Sequence, residues 1–164
     1  MFLFGGGSEK LGLILTGKRD AKIGKKCKEI FVEKVEGLKE LTKKINRVYN
    51  RTLENEGSAW IPALDGRKVY VDSPHKCLNY LLQSFEAITC KAAVAMSMDM
   101  LEAEGIPYNP LIWYHDEHEL EVPETYEERA KEIMKYAYRE APKLLGAMIM
   151  DGEAKSGNNW YDVH

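Results

Sequence analysis

The chain has 164 residues but only three cysteines, Cys27, Cys77 and Cys90, and no two of them stand in a CxxC spacing. That pattern argues against a disulfide framework and against a cysteine-built zinc site, and leaves buried or half-buried thiols. Long apolar runs are also missing: no stretch approaches the roughly 20 residues that a membrane span needs. The opening Met1-Phe2-Leu3-Phe4-Gly5 is short and has no basic flank, so it does not read as a signal peptide, and a cytoplasmic location is expected. No internal repeat and no low-complexity segment interrupts the chain. What remains is one domain's worth of sequence with ordinary hydrophobic content, long enough to bury a core.

The net charge of −3 conceals a polarity. Residues 1–50 hold 12 Lys and Arg against 6 Asp and Glu, residues 51–92 hold 5 against 5, and residues 93–164 hold 6 against 15. A basic first third suits a phosphate backbone, and an acidic last third suits divalent metal. Solvated helix faces would give the same counts.

Periodicity predicts a mostly helical α+β chain. Ser8 is placed as the cap of a short helix through Leu15, ended by Gly17. A basic helix follows over about Asp20–Gly37, with Ile23, Cys27, Ile30, Phe31 and Val35 at helical spacing, then a second carrying Leu38, Leu41, Ile45, Val48 and Leu53. Trp60-Ile61-Pro62 reads as extended chain, Asp65-Gly66 as a turn and Val69-Tyr70-Val71 as a short strand. Ser73-Pro74 opens the longest helix, His75 to Glu104, expected to be buried and closed by Gly105-Ile106-Pro107. Strands at Leu111–Tyr114 and Leu120–Val122 suggest a hairpin with charged residues near its turn, and Pro123-Glu124 starts another helix, with Tyr126, Ala130, Ile133 and Ala137 on one apolar face. The small antiparallel sheet is expected to gain a last strand at Ala147-Met148-Ile149-Met150. The tail from Ser156 to His164 is expected to be irregular.

Two constellations carry chemistry. His115-Asp116-Glu117 directly follows a hydrophobic strand, and Trp113 and Tyr114 are expected to be buried beside it. Phosphoryl chemistry needs carboxylates held rigidly enough to place two divalent ions about 4 Å apart, and Mg²⁺ prefers oxygen ligands. One Asp does not suffice, so a second carboxylate must come from elsewhere. An acidic hairpin turn in water would look the same. In the long helix, His75, Asn79 and Gln83 recur at i, i+4 and i+8, advancing about 40° per step as one polar stripe. Amide donors there match the minor groove, where every base pair offers acceptors in nearly the same place, so they test base-pair shape without reading sequence. A polar seam between packed helices is the other reading.

Taken in order, these residues resemble a known family. Gly66-Arg67-Lys68-Val69, Ser73-Pro74-His75, Leu78-Asn79, Leu81-Leu82-Gln83-Ser84 and Ala87 resemble the segment before and within the long palm helix of family A DNA polymerases, closest to bacteriophage replicative members. Tyr114-His115-Asp116-Glu117 resembles that family's motif C. Phe2-Leu3-Phe4-Gly5 with Glu9-Lys10-Leu11-Gly12 resembles the end of motif B in the fingers, and Gly157-Asn158-Asn159-Trp160 with His164 the close of the phage enzymes. The resemblance is collinear over essentially the whole chain.

The resemblance implies a C-terminal piece, with fingers-derived basic helices over residues 1–56 and a palm portion over 57–164. It implies that Asp116 ligates catalytic Mg²⁺, Glu117 supports it and His115 positions the primer end. Asn79 and Gln83 would contact the minor groove, with His75 and Arg67 also on DNA, and His164 would approach the site through its terminal carboxylate. The implied partners are a DNA primer-template and dNTP. The sequence also departs from the family's pattern. The motif A aspartate and the fingers Arg and Lys lie upstream of this chain. Phe4 replaces a usual Tyr, Phe85-Glu86 replaces a small pair, and His118 stands where an apolar residue is usual. Two-metal transfer with a single aspartate is not credible. The expectation is therefore one half of a split polymerase, inactive alone, completed by an upstream polypeptide, with self-association at an uncovered sheet edge in its absence. A non-catalytic DNA-binding accessory protein derived from a polymerase is the second reading. A metal phosphohydrolase using His115-Asp116 is the third, and His75 is the only upstream histidine it could use.

Overall fold

A computed structural model of the chain describes residues 6–148 and 150–163. Contacts divide it into two compact units, Met1–Ser84 and Phe85–His164. The expected mostly helical α+β architecture forms, with two separate two-stranded antiparallel sheets.

In the first unit, helices α1 (Ser8–Thr16), α2 (Ala21–Lys34) and α3 (Leu38–Glu56) precede strands β1 (Trp60–Pro62) and β2 (Lys68–Tyr70). Gly7 occupies the cap position of α1, and Ser8 is its first helical residue, so the expected serine cap does not form. The Ser8 carbonyl lies instead against α2 at Gly24: a Cβ there would stand 1.8 Å from that oxygen, and one on Gly12 would stand 2.0 Å from the Asp20 oxygen. Two glycines thus let two backbones approach more closely than any side chain allows. Asp20 caps α2, its Oδ1 accepting from the amides of Lys22 at 2.9 Å and Ile23 at 3.1 Å. The amphipathic α3 buries Leu38, Ile45, Tyr49 and Thr52. Its exposed opposite side carries Lys39, Lys43, Arg47 and Arg51.

The core of this unit gathers Ile45, Tyr49, Ala59, Ile61, Val71 and Cys77. Ile61 is wholly buried, and a side chain of that kind contributes about 1.5–3 kcal/mol relative to exposure. β1 and β2 pair with Trp60 opposite Tyr70 and Pro62 opposite Lys68. Thr52 ties α3 to this hairpin: its Oγ1 donates to the Trp60 carbonyl at 2.9 Å and accepts from the Trp60 amide at 3.0 Å.

The long helix starts as a 3-10 turn at Pro74–Lys76 and becomes α4 at Cys77–Ala103, so the boundary between the units falls inside it. Cys77, Ile88, Thr89, Cys90, Ala93, Ser97 and Leu101 are buried, while the remaining positions along α4 stay half-buried or exposed. Its end is a reversal at Gly105, where the Ile106 amide reaches back to the Leu101 carbonyl at 2.9 Å.

In the second unit, strands β3 (Asn109–Tyr114) and β4 (Glu117–Glu121) form a hairpin, followed by a 3-10 turn and α5 (Glu127–Leu144). Leu101, Ile106, Ala130 and Ile133 form its core, with Tyr108, Leu120 and Val122 packed against it. A short α6 (Trp160–Val163) gives the tail a helical turn where irregular chain was expected. The Asn159 side chain caps it by accepting from the amides of Tyr161 and Asp162.

The expected strand at 147–150 does not form. Ala147, Met148 and Met150 lie in irregular chain that pairs with no strand, and Ile149 is outside the described residues. Local contacts compete there. The Ala147 amide turns back to the Pro142 carbonyl at 2.9 Å, and Arg139 holds Asp151 by a bond of 2.7 Å. Trp113 and Tyr114 are also not buried: every residue of β3 is exposed, and β4 is the single strand paired with it among the described residues.

Candidate active site

The β3–β4 register pairs Tyr114 with Glu117, leaving His115 and Asp116 as the two residues of the turn. Glu117 therefore already belongs to β4. His115 sits at φ +54°, the one described non-glycine residue with positive φ. A left-handed conformation costs an L-residue about 1–2 kcal/mol, and such conformations persist where surroundings over-determine them, often at functional sites. Two hydrogen bonds do so here. The Trp113 indole Nε1 donates to the His115 carbonyl at 3.1 Å, and the Tyr138 hydroxyl donates from α5 to the Asp116 carbonyl at 3.4 Å. The His115 ring also meets the Tyr114 ring edge-on, with centroids 4.4 Å apart.

The side chains of His115 and Asp116 are exposed, and Glu117 is half-buried. Their charge is felt on the helices behind them. Burial pushes the Cys90 thiol up, and the carboxylates of Glu86 and Asp116 push it further. Burial likewise raises the Tyr138 phenol, with contributions from Cys90, Asp116 and Glu117. Negative potential thus accumulates at this end of the hairpin, where a bound cation would relieve it. The ammonium of Lys91 lies 5.4 Å from the Trp113 ring centroid. Behind the turn, His118 is buried, its Nδ1 3.0 Å from the Tyr138 hydroxyl, and burial holds its imidazole below the ordinary histidine value.

Glu86, Cys90, Lys91 and Tyr138 were not singled out as site residues in the sequence. They sit on two helices far from the turn in chain order, and nothing in local spacing connects them to it. Among the described residues, no three His, Cys, Asp or Glu side chains form a group that could hold a metal ion. Asp116 and Glu117 carry the oxygen donors that a hard cation prefers.

The other expected site residues lie in the first unit. Arg67 stands in the β1–β2 turn with Gly66 at φ +83°, and its guanidinium is held by Asp65, Nε donating at 2.7 Å. That guanidinium lowers the Asp65 carboxyl from its ordinary value. His75 is exposed on the 3-10 turn, outside α4, so the three-residue stripe does not share one regular helix. Pro74 explains this: it starts the segment with a tight turn before regular α-helical bonds begin at Cys77. Asn79 and Gln83 remain one turn apart on α4, Gln83 exposed and Asn79 half-buried, with its Oδ1 meeting no donor among the described residues. The motif B resemblance at Phe2–Gly5 and the role expected of His164 lie outside the described residues.

No family model matches the chain. Its likeness to whole proteins is extensive. It is 33% identical over 182 aligned positions to the DNA-directed DNA polymerase of Enterobacteria phage T3, covering 99% of this chain and 25% of that protein. It is 32% identical to the DNA-directed DNA polymerase of Escherichia phage T7 over the same shares, and 26% identical to that of Escherichia phage Phieco32, of which it covers 26%. The chain thus spans about a quarter of the length of the curated relatives it matches. In fold it resembles the POL domain of Pol1 from M. smegmatis, in a complex with DNA primer-template and dNTP, at a TM-score of 0.68 and 17% identity, over 85% of this chain and 25% of that one. Over nearly its whole length the chain is therefore similar to phage DNA-directed DNA polymerases, and it shares the fold of a polymerase domain.

Proposed function

We propose that the chain is the C-terminal portion of a template-directed DNA polymerase, with fingers-derived helices over residues 1–56 and a palm portion over 57–164. The observation that carries this reading is Asp116, an exposed carboxylate on a two-residue turn whose backbone is held from both sides, in a chain alike over 99% of its length to phage DNA polymerases.

In this reading Asp116 is a ligand of catalytic Mg²⁺, Glu117 supports it from the first position of β4, and His115 positions the primer end. When bound, the divalent ions supply charge neutralisation and an activated hydroxyl nucleophile. The left-handed turn presents the Asp116 carboxylate outward while its peptide is fixed, which limits reorganisation as substrate binds. Asn79 and Gln83 offer amide donors to the minor groove, and His75 and Arg67 provide further DNA contacts. Arg67 reaches a phosphate only by loosening its bond to Asp65. The exposed Lys39, Lys43, Arg47 and Arg51 favour a polyanion by charge alone. The DNA primer-template and dNTP held by the M. smegmatis domain are the proposed partners.

In this reading the second metal-binding aspartate and the fingers Lys come from an upstream polypeptide that joins this chain. Primer extension tests the reading. Extension is expected with the upstream polypeptide, none from this chain alone, and none from the mixture when Asp116→Ala replaces the wild type. Extension by this chain alone would sink the split arrangement. The second reading, a non-catalytic DNA-binding accessory protein, draws on the same exposed basic side of α3. It requires DNA binding that Asp116→Ala leaves unchanged and no extension in any mixture.

A further inference from the structure

His118 is the one buried histidine among the described residues, with 8% of its surface exposed, and it sits two residues beyond Asp116. Its ring lies nearly parallel to that of Tyr138, with centroids 5.6 Å apart and planes at 20°. Its Nδ1 is 3.0 Å from the Tyr138 hydroxyl, which is also 3.4 Å from the Asp116 carbonyl oxygen. Its Nε2 is buried and has no hydrogen-bond partner among the described residues.

A tyrosine hydroxyl has one proton to give, so two arrangements are open. In the first, the hydroxyl donates to Nδ1. The Asp116 carbonyl then loses its donor, and Nε2 carries a buried N–H with nothing to accept it. In the second, Nδ1–H donates to the hydroxyl oxygen and the hydroxyl donates to the Asp116 carbonyl. Two hydrogen bonds form, and Nε2 is left as a bare acceptor. The second arrangement makes one more bond, each typically contributing about 0.5–1.5 kcal/mol. It also leaves an acceptor unmatched instead of a donor, and orphaned N–H groups are the rarer of the two.

We propose that Tyr138 and His118 are positioning residues for the Asp116 turn. His118, protonated on Nδ1, orients the Tyr138 hydroxyl, and the hydroxyl fixes the Asp116 peptide from α5. The two carbonyls of the turn are then clamped by two different aromatic donors, Trp113 on the strand and Tyr138 on the helix. A carboxylate on such a turn keeps its direction before any metal arrives. Partners that orient a ligand in this way commonly contribute on the order of ten- to a hundredfold in metal affinity or activity. The metal part of the inference rests on the reading of Asp116 given above, whereas the hydrogen-bond chain stands apart from it.

The experiment has two arms. Nitrogen-15 NMR of His118 in the full chain is expected to show the Nδ1–H tautomer in the wild type and its loss in Tyr138→Phe, which keeps the stacked ring and removes the hydroxyl. An Nε2–H tautomer in the wild type overturns the proposal. In the second arm, with the upstream polypeptide present, Tyr138→Phe is expected to raise the Mg²⁺ concentration for half-maximal extension on the order of tenfold, with DNA affinity and the KM for dNTP unchanged. His118→Asn, whose side-chain amide N–H can stand in for Nδ1–H, is expected to retain more of the wild-type Mg²⁺ response than His118→Ala, and serves if Tyr138→Phe does not fold. Thr52→Val, in the other unit, is the comparison for lost stability alone. An equal Mg²⁺ shift in Thr52→Val and Tyr138→Phe makes the pair merely structural and overturns the proposal. If the wild type extends no primer in any mixture, the polymerase reading falls and the NMR arm alone decides the hydrogen-bond chain.

Discussion

A Cβ placed on Gly24 would stand 1.8 Å from the carbonyl oxygen of Ser8. No shift of a flexible side chain relieves that clash, because the obstacle is backbone. Gly24→Ala is therefore expected to push α1 away from α2 and to destabilise the first unit by about 1–3 kcal/mol, the usual range for overpacking. Urea unfolding followed by circular dichroism measures it. An unchanged midpoint would mean that the two helices do not pack as closely as described.

Thr52 satisfies both backbone groups of Trp60 with one hydroxyl, in a site where it is only 4% exposed. Thr52→Val keeps the shape and removes both bonds, stranding a part-buried amide and carbonyl. The expected loss is about 1–3 kcal/mol, with protection of the Trp60 amide from hydrogen exchange falling alongside. Retained protection in the variant would show that another group had taken over the bond.

Much of the scaffold was legible in the sequence because its signals are local. A basic helical run was placed from about Asp20, and α2 begins there; Gly17 and Gly105 follow helices and end them; Asp65-Gly66 lies between two extended segments and turns them into a hairpin. The misreadings were non-local. Ala147–Met150 is a short apolar run, and such a run does not say whether it will find a strand to pair with. The hydrophobicity of Trp113 and Tyr114 shows that they favour cover, not that the described residues supply it. The His75 stripe breaks for a different reason: uniform helical spacing does not hold through Pro74–Lys76, where the backbone is wound more tightly. At the candidate site, the turn was visible as an acidic tripeptide after a strand. Tyr138, 22 positions beyond Asp116 on another helix, could not be connected to it by periodicity.

The exposed β3 supplies a third expectation. Leu111 is 60% and Tyr114 63% exposed, and the strand pairs on one side only. Such an edge recruits other strands, so the chain alone is expected to self-associate as concentration rises, and a charge placed on the edge by Leu111→Lys to suppress this. Sedimentation velocity reads both. Monodisperse monomers at high concentration would count against it.

Burial sorts the cysteines. Cys77 and Cys90 are buried with thiols raised above the ordinary value of 9.0, and Cys27 is only half-buried. A raised thiol forms less of the reactive thiolate at a given pH. A disulfide reagent at pH 8 is expected to modify Cys27 first, and Cys77 and Cys90 only as urea unfolds the chain. The linkage has a definite sign. The unfolded thiols ionise near pH 9 while the folded ones stay protonated, so this contribution is complete below that pH and is lost as pH rises further. Three thiols reacting at one rate in the folded chain would contradict the burial pattern.

The proposed DNA contacts, neutral and charged, would separate by salt. Arg67→Gln is expected to lower the slope of log affinity against log salt by about 1 for a single phosphate contact. Asn79→Ala is expected to weaken binding with the slope unchanged, because an amide releases no counterion. Fluorescence anisotropy with a primer-template at several salt concentrations distinguishes them. Equal slopes in all three proteins would rule out the proposed phosphate contact of Arg67.

The left-handed backbone at His115 makes that position answer two questions at once. Glycine and asparagine enter this conformation readily, while valine and isoleucine resist it. A substitution series at 115 would therefore grade residues along two independent axes, how well each accepts the turn and how well each replaces an imidazole. Glycine should score well on the first and fail the second. Chemistry and architecture, usually confounded in mutational scans, come apart here at a single codon.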